Sequence, residues 1–214
     1  RFTGTLSLHP AIRCRSHPDQ ASSLVLHSNH FVWAHHDAIQ LIDQPASLMA
    51  NQLIGALAPE AHSLLSVIHE NRPEPLMITL ARNIFSQSAR AIEARGRVSL
   101  RAHNNTFDAI ANAVLQIPSG TISLEYINNL HRNTPNGSVL SFPAEGMLIE
   151  TLRSNLSDQS MNLATAVVPA DHLGLSGEEG DWRIDRDGPL PRAGHSAYDL
   201  GATADAFPDL SHTT

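Results

Sequence analysis

His103, Thr106 and Asp108 place an imidazole, a hydroxyl and a carboxylate within six residues. These are three of the groups from which nucleophilic and general acid–base catalysis are assembled. Cys14 supplies the chain's single thiol, flanked by Arg13 and Arg15, and a thiolate next to a cation is a strong nucleophile. Thr106, Asp108, His103 and Cys14 form the candidate catalytic set. A second constellation lies near the start of the chain, where six of thirteen histidines fall within the first 36 residues. His27, His30, His35 and Asp37 offer the nitrogen and oxygen donors that suit a divalent transition metal, and they are the candidate ligands. On a strand His35 and Asp37 share one face while His36 points to the other. His69-Glu70 begins like a zinc-protease helix signature, but Pro73 stands at its last position.

The elements that must position these groups read as a mixture of strands and helices. Over Arg97–Ile117, Val98, Leu100 and Ala102 alternate with polar residues, which predicts a strand. Asn104, Asn105 and Thr106 then offer capping side chains, and Phe107, Ile110, Ala111, Val114 and Leu115 give the stripe of a core-facing helix. Helices are likewise predicted over 46–57, 58–72, 83–95, 124–132 and 144–156. Strands are predicted over 2–8, 24–26, 31–33, 76–80, 139–142 and 162–168, the second and third joined as a hairpin at Ser28-Asn29. The expected fold class is α+β or α/β, a single layered domain of short strands alternating with helices, with no internal repeat. Residues 1–170 form this domain. Residues 171–214 carry nine acids against three arginines and six of the twelve glycines, and read as an acidic tail, flexible or docked.

Asn105-Thr106-Phe107-Asp108-Ala109-Ile110-Ala111 resembles the nucleophile motif of ovarian-tumour-type cysteine proteases, deubiquitinases in which a cysteine opens a helix running aromatic-x-Ala-aliphatic-Ala. The match extends over about nine residues, with Thr106 in the place of the cysteine and His103-Asn104 where the family has Asp-Gly. The resemblance implies a helix opening at Thr106 and a scaffold that is catalytically altered, because threonine needs an activating base to attack.

Composition sets the remaining bounds. Fourteen arginines account for the whole Lys+Arg count, so the chain has no lysine, although lysine is among the commonest residues of ordinary domains. Asn and Ile are plentiful, which argues against GC-rich coding as the cause. Loss of lysine removes the amines that ubiquitination and acetylation target. The expected function is therefore a secreted bacterial effector or toxin domain acting on a host protein in the eukaryotic cytosol. The alternative is a non-enzymatic protein-interaction or structural module, bacterial or viral. A net charge of −7 without a basic cluster argues against a nucleic-acid partner. No stretch approaches the roughly 20 apolar residues of a membrane-spanning helix. Walker, dinucleotide-binding and nucleophile-elbow signatures are absent, and no cofactor is expected.

Overall fold

The computed structural model describes residues 2–4, 9–17, 22–33, 36–55, 62–134, 139–141, 147–158 and 163–167. Among them there is no helix, and the chain winds into a parallel β-solenoid of about five turns. The α+β expectation is thereby corrected. The acidic segment from 171 onward lies outside the described residues.

Each turn crosses three faces in the same order. The first face stacks β2 (Ile12–Arg15), β5 (Ile39–Ile42), β8 (Ser63–Ile68), the middles of β10 (Ile84–His103) and β11 (Thr106–Ile127), and β13 (Val139–Ser141). The second stacks β3 (Leu24–His27), β6 (Ala46–Met49), β9 (Leu76–Ala81), the ends of β10 and β11, and β14 (Met147–Arg153). The third stacks β1 (Phe2–Gly4), β4 (His30–Trp33), β7 (Gln52–Ile54), the starts of β10 and β11, β12 (Leu130–Arg132), β15 (Leu156–Ser157) and β16 (Ala166–Val167). Every pairing is parallel, so β3 and β4 do not form the expected hairpin; each pairs with the next turn instead.

Corners are made by residues in the left-handed region. Ser28, Ala50, Arg82, Asn104, Asn128 and Ser154 all have φ between 52° and 57° and join the second face to the third. Gln87, Ala109 and Asn133 turn the third face into the first, and Asp43, Gly96 and Gly120 turn the first into the second. Short polar residues and glycine tolerate this conformation best.

The residue after each second-to-third corner is asparagine: Asn29, Asn51, Asn83, Asn105, Asn129 and Asn155. Their side chains stack into a ladder along the solenoid. The Asn83 backbone N–H and Nδ2 both donate to Asn105 Oδ1 at 3.0 Å. Asn105 in turn donates to Asn129 Oδ1 from both atoms, at 2.9 and 3.0 Å. The second Nδ2 proton reaches back to the preceding turn, from Asn105 to the Leu80 carbonyl at 3.0 Å and from Asn129 to the Ala102 carbonyl at 2.8 Å. Each inner asparagine thus uses its full donor and acceptor capacity in the dry interior, the condition for burying an amide without penalty. Thr165 ends the ladder, its Oγ1 accepting from Asn155 N at 2.8 Å.

Two residues after the first five of these asparagines an apolar or aromatic side chain fills the interior, Phe31, Leu53, Phe85, Phe107 and His131, all fully buried, and after Asn155 the buried residue is Ser157. Phe85 and Phe107 stack with centroids 5.2 Å apart, and Phe107 and His131 with centroids 5.1 Å apart, close to the roughly 4.8 Å between neighbouring strands. On the first and second faces the rows Ile39–Leu65–Ile92–Leu115 and Leu48–Leu80–Ala102–Tyr126 complete the core.

Candidate functional site

The four residues of the candidate catalytic set fall on three strands, Cys14 on β2, His103 on β10, and Thr106 and Asp108 on β11. Thr106 lies at the start of the third-face segment of β11 and is fully buried, with no helix behind it. The helix implied by the resemblance to ovarian-tumour-type proteases is absent, and its capping residues form a corner instead: Asn104 turns the chain at φ 57° and Asn105 enters the ladder. Asp108, two residues on, is held by Arg132 of the next turn in a two-pronged pair, Nε to Oδ1 and Nη2 to Oδ2, both 2.9 Å. This pair stitches β11 to β12, and the contact with the carboxylate raises the Arg132 pKa. His103 ends the second-face segment of β10, and its Nε2 lies 3.0 Å from Glu125 Oε1, with Arg101 on the other oxygen at 3.3 Å. Cys14 is in the first turn on the first face, opposite Leu41 and packed against the core. His131 faces the interior. Its Nε2 lies 2.9 Å from the Tyr126 hydroxyl, and burial pushes its pKa down to about 3, so it stays neutral.

The candidate metal ligands are redistributed rather than confirmed as a set. His27 is exposed and its Nδ1 meets the Ser28 hydroxyl at 2.8 Å. His30 opens β4, on the far side of the asparagine corner from His27. His35 lies outside the described residues. Asp37 does join a cluster, with His36 and His62: one ligand atom from each lies within 4.8 Å of the other two. The rings of His36 and His62 stack with centroids 5.0 Å apart and planes 16° apart. Asp37 Oδ1 accepts the Ser63 N–H at 3.0 Å. Burial raises the Asp37 carboxyl above its usual pKa, partly offset by that amide.

This cluster follows from strand register. Ile39 pairs with Leu65, so the residues three positions before them, His36 and His62, fall opposite one another in adjacent turns. His62 was missed because nothing links it to His36 in sequence except the repeat itself.

Another carboxylate near the N-terminal end is committed to the backbone. Asp43 turns the first face into the second and accepts the N–H groups of Glu70 at 2.7 Å and Asn71 at 3.1 Å, fixing the corner of the next turn.

The second face carries the most distinctive surface. Of the six exposed large apolar side chains among the described residues, Val25, Met49, Met77, Leu148 and Ile149 lie on its strands, and Val167 lies on the third face. Between them run outward rows set by register, Val25–Ser47–Thr79–Arg101–Glu125–Thr151 and Met77–Ser99–Ser123–Leu148. No known protein family, curated protein or solved structure matches this chain.

Proposed function

We propose that this chain is a non-enzymatic interaction module, a solenoid segment that binds a partner protein across its second face. The observation that carries this reading is the gathering of exposed Val25, Met49, Met77, Leu148 and Ile149 on that face. They are spread along the face among polar side chains, Met77 and Leu148 being separated by Ser99 and Ser123 of the two turns between. Exposed apolar side chains biased to one face favour a protein interaction surface. Stacked turns also present their side chains at a fixed spacing, roughly 4.8 Å, on an extended surface of the kind repeat proteins use for binding. The pairing of Asp108 with Arg132 and of His103 with Glu125, rather than with each other, supports the module over the enzyme, because catalysis needs its groups directed at one reacting atom.

The test places a photo-crosslinking residue at Met77 or Ser123 on the second face and, as control, at Gln40 on the first. A partner captured from the second face alone, and lost when Met77→Arg and Leu148→Arg are combined in a folded protein, is the expected result. Equal capture from both faces, or a new cleavage or mass shift in proteins incubated with the chain, would overturn it.

A second reading, a secreted effector acting in the cytosol of a eukaryotic host, rests on the complete absence of lysine. It is compatible with a binding role. If lysine was lost to escape ubiquitination, a version with exposed Arg13, Arg95 and Arg101 changed to lysine is cleared faster in eukaryotic cells. Equal half-lives would remove the basis for this reading.

A further inference from the structure

We propose that His36, Asp37 and His62 form a zinc-binding site that clips two successive turns of the solenoid together at the entrance to the first face. The site is independent of the partner surface, which lies on another face.

The donor set suits zinc. Two imidazoles and one carboxylate match the three protein ligands of open zinc sites, and they disfavour calcium and magnesium, which take oxygen donors. The distances also suit zinc. Zinc holds nitrogen and oxygen donors at roughly 2.0–2.2 Å, so tetrahedral ligands lie about 3.4 Å apart. The three ligand atoms already lie within 4.8 Å of one another, and closure turns the two imidazoles out of their stacked arrangement toward a common ion.

The fold holds the ligands in place. His36 and His62 are held opposite each other by the β5–β8 pairing that starts at Ile39 and Leu65. Ala38 beside Asp37 is fully buried, and the Ser63 N–H fixes one Asp37 oxygen. A carboxylate oriented by a backbone amide is the outer-shell support that metal ligands ordinarily have. One local adjustment accompanies loading. His36 Nδ1 accepts the Asp37 N–H at 3.0 Å, which puts the ring proton on Nε2. Coordination through either nitrogen gives up that hydrogen bond.

The experiment is equilibrium dialysis of the whole chain against zinc chloride, with calcium chloride in parallel. One zinc per chain is expected, and no calcium at the same concentration. His36→Ala and His62→Ala each weaken zinc binding by about tenfold or more, the scale on which even outer-shell changes act. His27→Ala leaves it unchanged, and zinc raises the melting temperature of the parent and of His27→Ala only. If either alanine variant misfolds, cobalt(II) added to the parent locates the site by broadening the amide NMR signals of Ala38 and Ser63. Absence of stoichiometric zinc, binding that survives both substitutions, or broadening centred elsewhere would overturn the assignment.

Discussion

Asn105→Ala is expected to destabilise the solenoid by about 3–5 kcal/mol, at the upper end of what a single substitution does. The side chain is wholly buried. Removing it takes away the acceptor of both Asn83 donors and the donor to the Leu80 carbonyl. A buried polar group left without a partner costs about 1–3 kcal/mol, and no water replaces the amide unless the turns separate. The end of the ladder gives the control. Asn29 is only half-buried and has no asparagine before it in the ladder, so Asn29→Ala loses the Nδ2 bonds to Asn51 Oδ1 and the His27 carbonyl but keeps its backbone N–H on Asn51, stranding no neighbour in the core. It should cost about 1 kcal/mol, the ordinary net worth of a hydrogen bond. Urea denaturation measures the total. Solenoid turns can melt separately, so exchange of the Asn83 amide with solvent gives the local readout. A loss below about 1 kcal/mol with that amide still protected would mean that the ladder is not what holds the turns in register.

The same ladder was partly legible in the sequence. Ser28-Asn29-His30-Phe31, Arg82-Asn83-Ile84-Phe85 and Asn104-Asn105-Thr106-Phe107 share a pattern in which asparagine precedes a buried aromatic by two residues. The pattern escapes a search for a fixed period because turns differ in length. Ladder neighbours are 32 residues apart from Asn51 to Asn83 but 22 from Asn83 to Asn105. Part of the extra length is residues 69–75, which join β8 to β9 at a corner, where loops are tolerated. The strands over 24–26, 31–33 and 76–80 were legible because they are short apolar runs bounded by turn residues.

The helices were misread for a specific reason. A corner residue at positive φ resets which side of the chain faces inward. Phe107 is buried before the corner at Ala109, and Ile110, Val114 and Ile117 are buried after it. Their spacing of three and four residues imitates a helical stripe, while the backbone is extended on either side of the corner at Ala109. Asn104 and Asn105 reinforced the error, because residues suited to a helix cap are also suited to a left-handed corner and a buried amide ladder. For the candidate metal site, Asp37 lay in the cluster read from composition. His62 became its partner only through the register of β5 on β8, which no local pattern encodes.

Gly120→Ala tests the opposite corner, where the turns meet without side chains. Gly120 has φ +95° and turns the first face into the second directly over Gly96, at φ +83°. A Cβ on Gly120 would lie 2.2 Å from the Gly96 carbonyl oxygen and 2.5 Å from its Cα. These are backbone atoms, so no side chain can swing aside, and the two turns must part at that corner. Residues other than glycine also pay about 1–3 kcal/mol for a strained positive-φ conformation. Together these effects should exceed 4 kcal/mol, or more than about 10 °C in melting temperature for a chain of this size. Gly55→Ala separates crowding from strain: its Cβ would meet Gln87 O at 2.8 Å and Ser88 Cβ at 3.0 Å, without a positive φ. It should therefore lose clearly less. Equal losses at both positions would mean that close approach alone governs the corner. A near-neutral Gly120→Ala would mean that the turns are not stacked there as closely as the Gly96 contact requires.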